Sequence, residues 1–143
     1  TSRKSDSYEI VKTWVLSGQA ILGEASINGQ PTAYNVVIVH NFSAYYASAC
    51  RDIQQKLNTS HYIQWKIIEY LKKTNIEYYD LGLQYFSNQI FSNVTCKDIS
   101  ISRYKRHFGG STIPVHAGYL FYSPFAQSQY LASELEFLKT AFN

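Results

Sequence analysis

The sequence predicts a single α+β domain with a mixed, largely antiparallel sheet and helices on both faces of that sheet. The first half of the chain carries three strand-like segments joined by tight turns, which favours an antiparallel meander. An amphipathic helix and a compact apolar run follow, which favours a parallel strand added by a crossover. With 143 residues, 45% of them hydrophobic and 16% charged, the chain can form one core of ordinary size.

A short helix and a hairpin are predicted at the start of the chain. Residues 6–17 place apolar side chains near helical spacing, and Gly18 ends that helix. Residues 20–27 predict a strand. Asn28 and Gly29 then predict a type I′ turn, because both central residues of that turn need positive φ.

Two further strands complete the predicted meander. Residues 31–40 return antiparallel to the first strand. A second tight turn near Asn41 leads into residues 42–50, where tyrosines and small residues suit a strand.

The middle of the chain predicts a helix followed by a buried strand. Ile63, Ile67 and Leu71 recur on one face of a helix over residues 60–74. The apolar run at 76–83 comes directly after it. A crossover helix lays the next strand parallel to its predecessor, so we expect a mixed sheet.

A long loop and a basic helix are predicted next. Residues 84–97 have no clear period and contain several apolar side chains, which indicates a mobile lid or part of a substrate wall. Asp98 is expected to cap a helix over 99–108. Gly109 and Gly110 end it.

The last part of the chain predicts one strand and one helix. Residues 112–122 read as a strand, bent at its proline and glycine. Ser123 is expected to cap a final helix that Pro124 opens. The apolar stripe of that helix consists of Tyr130, Leu131, Leu135 and Leu138.

Composition excludes several classes of protein. The net charge is +3 without a run of like charges, so bulk electrostatics indicates no partner. The longest apolar stretches are far too short to span a bilayer and the N-terminus has no signal-peptide core, so we expect a cytoplasmic protein. Cys50 and Cys96 are the only cysteines, which excludes a disulfide framework and a zinc cluster.

The common enzyme signatures are also missing from the sequence. It contains no Gly-rich phosphate loop, no Gly-x-Ser-x-Gly elbow and no metal-spaced cluster of ligands. The four histidines fall on four different predicted elements, and a lone histidine is more often structural than catalytic.

One segment, residues 101–110, concentrates basic or titratable side chains on a short helix. Such neighbours repel one another unless an anion lies near them. A solvated basic face explains the segment without a ligand, whereas a phosphate, carboxylate or oxyanion partner is the functional interpretation. The side chains concerned are Arg103, Lys105, Arg106 and His107.

The same segment resembles a known family. Tyr-Lys-Arg-His-Phe-Gly-Gly at 104–110 is similar to the aromatic-Lys-x-x-Phe-Gly-Gly stretch of Fem-type (FemABX-like) peptidoglycan aminoacyltransferases and their GNAT-fold relatives. The order and spacing of residues 44–49, 62–66 and 79–82 also look like the C-terminal, GNAT-like half of that family. The likeness covers residues 8–122.

The resemblance implies a GNAT-like fold and a transferase that moves an acyl or aminoacyl group from an activated carrier to an amine. It implies a donor site where the strand ending at Cys50 parts from the strand at 78–83, with the carrier's phosphates over the start of the intervening helix. Unpaired N–H groups and the positive end of the helix dipole favour phosphate at that point as well. The predicted donor-binding residues are Tyr46, Ser48, Arg51, Lys56, Asn58, Thr59 and Ser60.

Three residues are predicted to act in catalysis. Lys105 stabilises the developing oxyanion or an anionic group of the substrate. Tyr104 donates a proton to the leaving group, or else is a core aromatic. Asp80 accepts a proton from the attacking amine, or else is a structural hydrogen-bond acceptor. The predicted acceptor-binding residues are Arg103, Arg106 and His107.

The chain also departs from the family pattern. Residues 51–60 lack the glycine-containing loop by which ordinary acetyltransferases hold coenzyme A, so acyl-CoA and aminoacyl-tRNA both stay open as co-substrates and no tightly bound cofactor is expected. The acceptor is expected to be a small molecule or a bacterial cell-wall precursor.

The first strand and helix of a GNAT domain have no counterpart, and Met is absent, which indicates a fragment, a trimmed relative or a homodimer that completes the fold. A degenerate domain acting as a non-catalytic binding or assembly module is the alternative function, and an unrelated α+β sandwich is the alternative fold.

Overall fold

The chain divides into two compact units, an N-terminal unit, Thr1–Gly82, and a C-terminal unit, Leu83–Asn143. Their secondary structure confirms the predicted α+β class and the mixed sheet, while one domain over 1–143 stays a prediction. A computed structural model describes residues 6–52, 54, 57–87, 89, 94–116 and 118–141.

The N-terminal unit carries the sheet. Its elements are α1 (Asp6–Leu16), β1 (Ala20–Ile27), β2 (Gln30–His40), β3 (Ser43–Arg51), α2 (Thr59–Lys72) and β4 (Tyr78–Asp80). The strands lie in the order β1-β2-β3-β4. The first three pair antiparallel, and β4 pairs parallel to β3. The predicted meander and the predicted parallel strand after a crossover helix are both confirmed.

Two tight turns fix the register of the meander. Asn28 and Gly29 have φ of 51° and 76°, as the type I′ turn requires, and Asn41 has φ of 51° between β2 and β3. Asparagine and glycine adopt positive φ at low cost, so these turns form where the sequence predicts them.

The core of the N-terminal unit lies between α2 and one face of the sheet. Ile63, Ile67 and Leu71 are buried, as their spacing on one face of the helix predicts. Gly23 on β1 permits close packing, because a Cβ atom there would lie 3.1 Å from Cδ1 of Ile67. The strands contribute Ala25, Ala33, Val37 and Ala44.

β3 carries a bulge near its middle. Val36 on β2 pairs with Ser48, and Val37 pairs with Tyr46, so Ala47 has no partner on β2. A bulge leaves one residue outside the ladder and bends the strand locally. The bend falls just after the last pair that β3 makes with β4, which is Tyr45 with Asp80.

The C-terminal unit contains two helices in its described residues, α3 (Cys96–Arg106) and α4 (Pro124–Ala141). The prediction that Asp98 caps α3 is wrong: Thr95 is the N-cap, and α3 begins three residues earlier than predicted. Thr95 and Asp98 form a capping box, in which Oγ1 of Thr95 accepts from Asp98 N at 3.2 Å and Oδ2 of Asp98 accepts from Thr95 N at 3.0 Å. Gly109 and Gly110, with φ of 79° and 87°, follow α3 as predicted.

The predicted strand over 112–122 is wrong, since the described residues of that segment form no strand. Ile113, Val115 and Leu120 are exposed, so their apolar character does not reflect burial in a sheet. Pro114 has no N–H for a ladder, which weakens a strand at this point.

The final helix begins at Pro124, as predicted, but its apolar stripe is only partly covered. Leu131 and Leu135 are exposed. Tyr130 packs against the rings of Tyr119 and Phe121, with centroids 4.7 and 5.3 Å away. Among the helices that the structure describes, none combines the length and apolar character that crossing a bilayer requires.

Candidate functional site

The parting of β3 from β4 is the main irregularity of the sheet. The two strands pair only from Ser43 to Tyr45 on β3, whereas β3 continues to Arg51. In the part of the chain that the structure describes, residues 46–51 therefore have no strand partner on the β4 side. We call this part of β3, residues 46–51, the splay.

The N-terminus of α2 lies at the same end of the sheet as the splay. β3 and β4 are parallel, so the helix that connects them must run back along the sheet and begin near the end of β3. The first turn of α2 contains no acidic residue. Its dipole therefore presents a partial positive charge that no carboxylate of that turn offsets.

The predicted phosphate-binding groups at this helix end are partly engaged. Asn58 is the N-cap, and its side chain makes no capping hydrogen bond. The Thr59 N–H donates to the carbonyl of Leu57 at 2.9 Å, so it is not free. The Thr59 side chain is only 7% exposed, and its Oγ1 has no hydrogen-bond partner. A buried hydroxyl without a partner is costly, and a polar ligand at this helix end would offset that cost.

A buried chain of hydrogen bonds joins β2, α2 and β4. Asn35 Nδ2 donates to Gln64 Oε1 at 2.9 Å, and Gln64 Nε2 donates to the Tyr79 hydroxyl oxygen at 2.7 Å. Gln64 is fully buried and Asn35 is 1% exposed, yet Oδ1 of Asn35 has no partner. Burial raises the pKa of the Tyr79 phenol well above its ordinary value, so this hydroxyl stays protonated at neutral pH.

The sequence analysis did not predict this chain of hydrogen bonds, although the sequence contains one signal for it. Asn35 alternates with Ala33 and Val37 along β2, and side chains two apart share a face. A polar residue between two core positions of a strand indicates a buried partner. Gln64 likewise lies beside Ile63 on the buried side of α2.

The other donor-binding residues of the N-terminal unit lie along the splay. Tyr46 and Ser48 are half-buried and flank the bulge at Ala47, and Arg51 is exposed at the end of β3. Lys56 lies outside the described residues. Ser60 is half-buried in the first turn of α2.

Asp80 is engaged locally. One of its carboxylate oxygens, Oδ1, accepts from the Gly82 N–H at 2.6 Å, in a turn where Gly82 has φ of 76°. This hydrogen bond matches the structural alternative predicted for Asp80, that of a hydrogen-bond acceptor at the end of a strand. Its second oxygen keeps lone pairs for another donor.

In the C-terminal unit, α3 contacts the segment 83–86 at four points. Lys105 Nζ donates to the carbonyl of Leu83 at 2.8 Å. The guanidinium of Arg106 lies 4.8 Å from the ring centroid of Phe86, a cation–π distance, and its Nη1 lies 3.5 Å from Gln84 Oε1. The fourth contact is the Tyr85 N–H, which donates to Ser102 Oγ at 2.8 Å, and Ser102 is buried.

The other α3 residues predicted for the site, Arg103, Tyr104 and His107, do not line one common groove. The ring of Tyr104 packs edge-on against Phe108, 5.1 Å between centroids, which matches the core-aromatic alternative. His107 is exposed at the C-cap of α3. Arg103 lines a cavity of about 660 Å³, whose walls include Val94, Ile99 and Phe137.

Two general findings complete the description of the site. In the described ranges, no three His, Cys, Asp or Glu side chains come together as metal ligands. No family model, curated protein or solved structure matches the chain. The class that the fold itself defines is a small α+β protein with a four-stranded mixed sheet and a parted strand pair.

Proposed function

We propose that the chain carries a GNAT-like transferase site that moves an activated acyl or aminoacyl group to an amine. The observation that carries the proposal is the parting of β3 from β4 beside the bulge at Ala47. An unpaired strand edge offers backbone groups to an extended ligand, as in the addition of a strand to a sheet. Bulges are also frequent next to active sites, where they redirect a strand.

In this proposal the donor has two parts that fit two features of the N-terminal unit. The acyl end and its extended linker lie along the splay, near Tyr46 and Ser48. The phosphates of the carrier lie at the start of α2, where the helix dipole and the absence of acidic residues favour an anion. Coenzyme A and the 3′ end of a tRNA share this chemistry of an activated carbonyl on a phosphate-bearing carrier.

The catalytic and acceptor-binding roles are proposed residue by residue. Lys105 keeps its predicted role at the oxyanion, and in this structure its ammonium group donates to the Leu83 carbonyl. Arg103 remains the proposed contact for an acidic acceptor, because it contributes a cationic side chain to the wall of a cavity. Arg106 and His107 keep the acceptor-binding roles predicted for them. Asp80 and Tyr104 are proposed to act in catalysis in addition to the structural contacts described above. On the resemblance and the sequence alone, we also propose a bacterial, cytoplasmic enzyme that acts on a cell-wall precursor.

A non-catalytic binding or assembly module is the second candidate. The engagement of Lys105 and Asp80 with backbone groups favours it, since both residues then have a structural role. A module of this kind would bind no activated donor, whereas a transferase must do so.

Thermal unfolding with ligands present separates the two candidates. Acetyl-CoA and an aminoacylated RNA minihelix are the donor probes, and the unacylated minihelix is their reference. A ligand that binds only the folded chain raises its stability by mass action. Stabilisation by at least one donor supports the transferase. If neither donor stabilises the chain, the result supports the module.

The variant Asn58→Asp tests where the phosphates bind. A carboxylate at this N-cap caps the helix and complements its dipole, so we expect the free protein to gain about 0.5 kcal/mol in stability. The same negative charge should weaken binding of the donor several-fold. The matched control is Asn75→Asp, which adds the same charge beyond the other end of α2 and should leave donor binding unchanged. Equal donor binding by wild type and Asn58→Asp would rule out phosphate at the start of α2.

A further inference from the structure

We propose that the Tyr79 hydroxyl donates a hydrogen bond to the carbonyl oxygen of the activated acyl group in the splay. This inference rests on the proposed function. It adds Tyr79, which is not among the predicted site residues, as a residue that contacts the substrate. No proton is transferred in this step, because the phenol acts only as a hydrogen-bond donor.

The hydrogen-bond chain fixes the direction in which Tyr79 donates. Gln64 Oε1 accepts from Asn35, so the amide nitrogen of Gln64 faces Tyr79 and donates to the phenol oxygen. The hydrogen of the Tyr79 hydroxyl is then directed away from Gln64. Among the residues that the structure describes, it meets no acceptor within hydrogen-bond distance.

The register of the sheet places this hydroxyl beside the splay. Tyr79 pairs with Ala44, one residue before the last β3–β4 pair, and Asn35 pairs with Ala49 at the far side of the bulge. The hydrogen-bonded side chains from Tyr79 to Asn35 therefore pass over the middle of β3, where β3 has no strand partner on the β4 side. Tyr46, at the start of the splay, is close enough that its ionised form would help to raise the pKa of Tyr79, after the larger effect of burial.

Burial keeps the phenol suited to this role. The pKa of Tyr79 is raised because the group is removed from water, so it remains a neutral donor across the physiological pH range. A neutral hydroxyl held by a buried amide can donate to a carbonyl without the reorganisation that a free side chain would need.

Two pairs of ligands test the inference through the carbonyl alone. Acetyl-CoA is compared with S-ethyl-CoA, a thioether that lacks the carbonyl oxygen. An amide-linked aminoacyl minihelix is compared with its thioamide analogue, in which sulfur, a weaker acceptor, replaces the carbonyl oxygen. The two arms distinguish the two carriers. For each protein we measure the ratio of the two dissociation constants in the pair by titration calorimetry.

The variants are Tyr79→Phe and the matched control Tyr78→Phe. Tyr78 is the preceding residue on β4 and is 68% exposed, so its hydroxyl lies in solvent. Loss of one neutral hydrogen bond should reduce the preference for the carbonyl ligand by about three- to tenfold in Tyr79→Phe and leave it unchanged in Tyr78→Phe. Replacement of Tyr79 by 3-fluorotyrosine, a more acidic phenol, should increase the preference and keeps the inference testable if Tyr79→Phe does not fold.

The outcomes are distinct. A preference that is unchanged in Tyr79→Phe, or unchanged on fluorination where Tyr79→Phe is unfolded, overturns this inference while the proposed function stands. Failure of the wild type to bind either pair overturns the proposed function, and this inference with it. A loss of preference confined to Tyr79→Phe supports the inference and identifies the carrier by the arm in which it appears.

Discussion

Replacing Gln64 by leucine should destabilise the N-terminal unit by about 2–4 kcal/mol. The substitution removes two hydrogen bonds, of 2.9 and 2.7 Å, each worth about 0.5–1.5 kcal/mol net. It also leaves Asn35, which is 1% exposed, without any partner, at a cost of about 1–3 kcal/mol. The apolar side chain of leucine recovers part of this loss, because the site is fully buried.

Urea unfolding followed by tryptophan fluorescence measures the effect in the right part of the chain. Both tryptophans, Trp14 and Trp65, lie in the N-terminal unit, so their signal reports that unit. The double variant Asn35→Leu with Gln64→Leu removes both partners and should regain about 1–2 kcal/mol relative to the two single changes added together. Gln30→Leu, at an exposed position, is the control and should change stability by less than about 0.5 kcal/mol. A change in stability of less than about 0.5 kcal/mol for Gln64→Leu would refute the buried hydrogen bonds of Gln64. Strictly additive free-energy changes in the double variant would refute them as well.

Four other predictions concern backbone strain, a helix cap and a local hydrogen bond. Gly29→Ala should cost about 1–2 kcal/mol through backbone strain alone, since φ is 76° and no atom lies within 4 Å of the new Cβ; urea unfolding checks this. Thr95→Ala should lower the stability of α3 by about 1 kcal/mol, measured as faster amide hydrogen exchange in its first turns. Hydrogen bonds from Thr95 hold the pKa of Asp98 below its ordinary 3.8, so this stabilisation is full above that value and is lost as the pH falls through the lowered pKa. Thr95→Ala removes the hydroxyl hydrogen bond but keeps the one from the backbone N–H, so it should weaken that acid dependence. Ser102→Ala should speed exchange of the Tyr85 amide while leaving that of Val37 unchanged.

Sequence alone predicts the parts of the fold in which local and long-range preferences agree. Asn28 and Gly29 suit the turn they form, and Ile63, Ile67 and Leu71 suit both a helix and the core beneath it. These positions determine the meander, the crossover helix and the parallel position of β4.

Sequence reasoning fails where a partner elsewhere in the chain decides the outcome. Residues 112–122 have the apolar content of a strand, but strands also need a ladder partner, and the described residues of this segment have none. Thr95 was overlooked as an N-cap because the segment before it has no period, although Thr95 and Asp98 have the spacing of a capping box.

The candidate site shows the same division. A helix start at 58–60 could be foreseen from its capping residues. A parting of the strands was expected only from the family resemblance and at the strand ending at Cys50, whereas the pairing ends at Tyr45. The bulge at Ala47 and the contact of Lys105 with Leu83 could not be foreseen, because each depends on register or on a backbone carbonyl that carries no sequence signal.

Amide chemical shifts of the isotope-labelled chain would show where a donor binds, without assuming any catalytic step. On addition of acetyl-CoA or the aminoacylated minihelix, we expect shifts concentrated at Tyr46, Ala47 and Ser48 and at the start of α2 near Ser60. Residues 28–30, in the hairpin between β1 and β2, should not shift. Saturable binding that shifts other amides and leaves 46–48 and 58–60 unchanged, or no shift with either donor, would show that the splay and the start of α2 are not the donor site.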